Sequence, residues 1–275
     1  MIDPSVLDLL NAVLRRVPDN AIDIVAGAAS FDQIEHIWSF AKAKNNASII
    51  DTMRREADRL AASVRTRIME GRRIDLGKGA VGYRGATFER RLAVVIDMAD
   101  RLSCEAISSL VLSLYARLQH EWETERPHIN DGVDVLRALD GTRSVASDDL
   151  ERMKVAIEQA LLKEASTGCQ SDELRELICV IDTSDPDDPA VSAARSAFNH
   201  YRRSIFDQEL SECRSLEQFD GLVEDLELFR DHLRVEVSAL IQRVEESKAE
   251  FEENESAYAD HMEDEWKERW RQDRY

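Results

Sequence analysis

Gly71-Arg-Arg-Ile-Asp-Leu-Gly77-Lys78-Gly79 comes closest to a reactive motif in this chain, because its glycines and lysine are arranged much as in a phosphate-binding loop. In such a loop backbone N–H groups cradle a polyphosphate, the lysine reaches the outer phosphates, and the next Ser or Thr holds magnesium. Here the spacing is one residue too long, Gly79 stands where the hydroxyl is needed, and a helical pattern rather than a strand precedes the loop. Nucleotide hydrolysis is excluded. What survives is a basic segment in which Arg72, Arg73, Lys78 and Arg84 accompany backbone that can approach an anion closely, the alternative being a solvated loop.

Four other spacings also fail. His120-Glu121 opens like a zinc-protease helix, but no second histidine stands four residues on, and Glu125-x-x-His128 has di-iron spacing broken by Pro127. Ser39-x-x-Lys42 lacks the Ser-Asp-Asn and Lys-Thr-Gly companions of a penicillin-binding enzyme. A calcium loop begun at Asp182 would need glycine at its sixth position and glutamate at its twelfth, where Asp187 and Ala193 stand, so the aspartates from Asp182 to Asp188 read as turn and cap residues. No catalytic residue, metal ligand or cofactor site is predicted, and the chain reads as a non-enzyme.

The framework around these residues is helical. The 275 residues contain 10 Gly and 5 Pro, 43% are hydrophobic and 33% charged, which suits long helices with solvated faces and excludes a wholly disordered chain. The spacing predicts an all-α protein, a bundle or irregular array of about nine or ten helices ending in one long helix. An N-terminal domain over 1–142 carries the basic loop 71–86, and an acidic C-terminal domain covers 143–275.

Apolar residues mark the helices individually. A first helix from Ser5 to about Val17 presents Val6, Leu9, Leu10 and Val13 on one face; one long helix runs from Ala47 to Glu70. Phe88 to Leu102 and Ile107 to Leu118 follow, the latter apolar enough to expect at the middle of the core. Ser30-Phe-Asp-Gln33 and Ser215-Leu-Glu-Gln218 read as capping boxes, and the eight-residue stretches they open match in kind, either as ordinary capped helices or as a duplicated helical hairpin. Pro189 suits a first helical position behind a capping Asp188.

Charge is unevenly spread. Residues 204–275 hold 22 acidic against 9 basic side chains, most of the total of −19, whereas 51–91 hold 11 basic against 6 acidic. The widely spaced Cys104, Cys169, Cys179 and Cys213 read as reduced thiols, and with neither a signal peptide nor a span-length apolar stretch a cytoplasmic protein is expected.

The final helix, expected from about Leu233 to Arg271, supplies the strongest candidate for function. Leu240, Val244, Phe251, Tyr258 and Met262 form a heptad-like seam, and Trp266 and Trp270 lie one turn apart beyond it. The seam is covered either by the protein's own body or by a partner, another protein or a second copy; no nucleic-acid or membrane partner is expected. The capping boxes and acidic amphipathic helices of Ser30 to Leu60 and Ser196 to Glu246 resemble the helical regions C-terminal to the ATPase modules of prokaryotic STAND-type defence proteins. That resemblance implies a scaffold, sensor or assembly part, and no catalytic residue. The expected function is a helical protein-interaction module, an adaptor, scaffold or regulatory subunit; the alternative is an acidic inhibitor that imitates nucleic-acid phosphate at a basic site.

Overall fold

Apolar residues three and four apart fix the architecture, an all-α array. The computed structural model describes residues 11–43, 46–77 and 80–272, and among them fourteen helices and one two-stranded hairpin. Their contacts divide the chain into two compact units, Met1–Leu161 and Leu162–Tyr275. The division falls inside α9 (Ser147–Ala165), because α9 belongs to α8 (Ile129–Gly141) over most of its length: Lys154 pairs with Asp140, and Leu161 lies directly on Gly132. A side chain at Gly132 would occupy the space that Leu161 fills.

Fourteen helices exceed the nine or ten expected because several apolar stripes are interrupted. The stripe from Ala47 breaks at Glu56 into α4 (Ala47–Arg55) and α5 (Ala57–Ile68), without a glycine or proline to announce it. Helical residues 11–16 form α1, and the short α2 (Asn20–Ala26) follows it. In α1 it is Leu14 that is buried, while Val13 is exposed; the first ten residues lie outside those described. Gly71 to Ala86, expected as a loop, contains an antiparallel pair, β1 (Arg73–Gly77) and β2 (Ala80–Tyr83), with Ile74 opposite Gly82 and a register shift between Asp75 and Gly77.

In the first unit the centre is α6 (Phe88–Leu102) rather than α7 (Glu105–Glu121). Nine α6 residues are buried and the helix packs on both α7 and α8, whereas α7 leaves Leu112 exposed. The side chain of Thr87 caps α6, its oxygen accepting from the Arg90 amide at 3.1 Å while its hydroxyl donates to Asp131 of α8. Buried Glu89 accepts from Trp122 Nε1 at 2.9 Å and from the His128 amide at 3.0 Å, which pins the connection into α8. Asp97 accepts from Trp38 Nε1 at 2.8 Å and Lys42 Nζ at 2.6 Å, both on α3 (Phe31–Lys42), and from Arg101 Nε at 2.7 Å.

The second unit contains α10 (Ser171–Ile178), α11 (Pro189–Ser204), α12 (Phe206–Glu212), α13 (Leu216–Leu233) and α14 (Ser238–Gln272). Its core is aromatic, with Phe198 5.5 Å from Phe229 and Tyr201 edge-on to both Phe206 and Phe229 at 6.2 Å. Asp188 caps α11 at Ala190, with Pro189 first in the helix, and Asp182 and Asp185 each accept from the amide two residues on. Arg175 meets Asp225 of α13 at 2.9 Å, and burial pushes the Asp225 carboxyl above its ordinary value despite that cation. All four cysteines are free thiols, Cys179 exposed, Cys169 and Cys213 buried.

Two outcomes are expected. Asp97→Ala leaves the Trp38 indole and two cations without an acceptor, so denaturant unfolding should register a loss of about 2 kcal/mol. Burial alone would push the Asp97 carboxyl up, but hydrogen bonds from Lys42, Arg101 and Trp38 outweigh it and hold the group below its ordinary 3.8. Its contribution is therefore complete above pH 3.8 and lost as pH falls through the lower folded value, so the two unfolding curves should converge there. Thiol labelling should proceed first at Cys179; the Cys169 thiol, pushed by burial up to about 12, should label only as the unit unfolds.

Candidate functional site

Within the second unit, α14 has two parts. Arg234 in left-handed conformation (φ 55°) ends α13, so the last helix starts at Ser238, and Leu233, expected within it, closes α13 instead. Of the seam residues Leu240 is half-buried, Val244 is 0% exposed, and Phe251 packs on Phe219 of α13 with ring centroids 5.7 Å apart. Lys248 reaches Asp220 at 2.5 Å. This part of the seam is covered by the protein itself. Residues 252–256 are exposed, as is Met262 at 47%, while the side chains of Tyr258, Trp266 and Trp270 lie outside those described.

In the first unit the basic residues of 71–86 do not converge as a group. The Arg72 guanidinium lies 5.4 Å from the Tyr83 ring centre and its Nε is buried without a partner; its carbonyl accepts from the Arg84 amide at 2.8 Å, closing the hairpin. The side chain of Arg73 and all of Lys78 lie outside the described residues. Ile74, Tyr83 and Leu76, the last 66% exposed, give the hairpin an apolar surface. Arg84 lines a cleft at the base of the hairpin.

That cleft, of about 350 Å³, is walled by Arg67 and Glu70 at the end of α5, Arg84 and Gly85 leaving the hairpin, Arg91 of α6, and the start of α3. Arg91 is 3% exposed and lies over Phe88 and Phe31, 4.8 and 5.8 Å from their ring centres. Its Nη1 donates to the carbonyls of Ile68 at 3.0 Å and Glu70 at 2.6 Å, and its Nε is buried without a partner. Burial, then the nearby Arg72, pushes the Arg91 guanidinium below its ordinary value, although an arginine there stays charged.

At the start of α3 the expected capping box is rearranged. Ser30 has cap conformation but makes no side-chain capping bond, and Gln33 accepts from the Ala29 amide at 2.6 Å. Gln218 does the same at the other box, accepting from the Arg214 amide at 2.5 Å, although there Ser215 does accept from the Gln218 amide. Asp32 accepts from the Ala86 amide at 2.8 Å, fastening the hairpin exit to α3.

Neither Arg91 nor Arg67 was flagged by motif. Arg91 stands three residues after Phe88, inside the apolar stripe of α6, and a charge in that position is the signal that could have found it. Two other motif residues have structural partners: Lys42 serves Asp97, and His120 lies 3.0 Å from Glu123. Among the described residues no group of histidine, cysteine or carboxylate side chains could hold a metal ion, and no helix is long and apolar enough to cross a membrane. Compared with known proteins, the chain matches no family model, no curated protein and no solved structure.

The root of α14 should behave as ordinary core. Phe251→Ala removes the ring packed on Phe219 and should cost about 1–2 kcal/mol in unfolding, with faster amide exchange from Arg243 to Phe251 as the local readout.

Proposed function

We propose that the chain is a helical protein-interaction module, an adaptor, scaffold or regulatory subunit, whose contact element is the outer part of α14. The observation that carries this reading is the length of that helix. Among the described side chains its contact with α13 runs as far as Phe251 on Phe219, near the first turn of α13, and α14 continues to Gln272. The remaining 21 residues reach roughly 32 Å further at 1.5 Å per residue. A helix of that size and polarity is marginal by itself, and its helicity is stabilised by an apolar stripe buried against something else. Tyr258, Met262, Trp266 and Trp270 recur every four residues along it, and two aromatic anchors so spaced suit a groove or a facing helix. The resemblance to helical regions of STAND-type defence proteins makes an assembly part in a bacterial conflict system the setting in view.

A second reading rests on the exposed carboxylates. Among the described residues, Glu252, Glu253 and Glu255 form no ion pair, so this stretch could present a row of negative charge to a basic site. Salt separates the two: binding dominated by charge falls steeply with ionic strength, and binding through an apolar seam does not.

The contact with α13 places the cut for a test. Removing residues 252–275 leaves Val244, Lys248 and Phe251 in place, so the melting temperature should stay within a few degrees of the full chain. Self-association by light scattering, or retention of a partner in a pull-down, should be abolished; a truncated chain that associates or binds like the full one refutes the proposal.

A further inference from the structure

We infer that the cleft at the base of the hairpin is a binding site for a phosphoryl group, either free phosphate or the terminal phosphate of a small ester. Three features of the first unit converge there. Arg91 is a charged side chain 97% removed from solvent; its hydrogen-bond partners are two backbone carbonyls, and the carboxylates of Asp32 and Glu70 act on it only through space. A buried cation whose carboxylate neighbours form no hydrogen bond with it is costly, and a further counter-charge in the cleft offsets that cost. Arg84 is exposed at the rim and, among the described residues, forms no ion pair. The start of α3 forms a further wall, and because the Ser30 hydroxyl does not cap it, backbone N–H groups of the first turn remain for a ligand.

The carboxylates in the cleft are outnumbered. Glu70 pairs with Arg67 at 2.5 Å; Asp32 accepts from the Ala86 amide and keeps its charge, and both carboxylates act on Arg91 through space, so the cleft sets the three guanidinium groups of Arg67, Arg84 and Arg91 against two carboxylates. Guanidinium groups with helix-start amides favour an oxyanion with several acceptor oxygens, which a phosphoryl group supplies in a compact tetrahedron. A cleft of about 350 Å³ has room for more than the ion, at the lower end of ligand sites generally.

The residues lining the site all belong to the first unit and α14 to the second, which gives the test its control. Isothermal titration of the full chain with inorganic phosphate, phosphoserine and a nucleoside monophosphate should find at least one binding tighter than about 1 mM. Inorganic phosphate binding as tightly as the esters identifies the free ion as the ligand; esters binding more tightly identify a phosphorylated small molecule. Arg84→Ala should weaken binding roughly tenfold, and Arg84→Glu should abolish it, with both variants melting like the parent without ligand. Truncation at residue 251 should leave affinity unchanged, so a failure of the helix proposal and a failure here are distinguishable. Absence of binding by all three compounds, affinity unaltered in Arg84→Glu, or citrate binding as tightly as the phosphates would each overturn the inference.

Discussion

A chain cut into many short helices has many helix ends, and each leaves backbone N–H or C=O groups that intrahelical bonding does not satisfy. The fold depends on how those groups are answered. Arg91 of α6 donates to carbonyls at the end of α5, Glu89 accepts from the backbone entering α8, Glu209 of α12 accepts from the Ser171 hydroxyl and amide at the start of α10, and Arg195 of α11 donates to the last carbonyl of α13. In each case the side chain belongs to a different helix from the end it serves. The same bonds that complete one helix therefore position its neighbour.

This explains why charged residues lie among the most buried in the molecule. Glu89, Arg91 and Asp225 are all buried, and each has a named structural partner. Arg91 differs from the other two in that one of its donors remains unused. Structural clamp and charged wall are the same side chain, so the cleft owes its charge to the requirement that α5 be finished.

Much of the helical framework was legible because it is written in local periodicity. Every member of the stripes Phe88, Leu92, Val95, Ala99, Leu102 and Ile107, Leu110, Val111, Leu114, Leu118 is buried, and Asp188 with Pro189 marks the start of α11 as expected. What escaped depends on distant partners. Glu56 interrupts a stripe that is continuous in sequence, and the strands of the hairpin hide among glycines. Ser30 has the surroundings of a cap yet does not act as one, whereas Thr87, unflagged, both caps α6 and reaches Asp131. The cleft was half legible: Arg84 lay in the suspected segment, but Arg67 and Arg91 come from helices that only tertiary packing brings to it. For α14 the sequence marked a seam and left its cover open; Val244 and Phe251 turn out to face α13.

The geometry of α14 has a mechanical consequence. A stiff rod held near its base converts a slight rotation there into a much larger sweep at its tip, and among the described residues the hold includes Val244, the Phe251 and Phe219 rings, the Lys248 to Asp220 ion pair, and Arg243, which pairs with Asp207 and lies over Phe206. Whatever grips the tip gains leverage over α13, and through Asp225 and Phe229 over the interior of the second unit. Pulling on this helix is thus a means of straining the core of its unit.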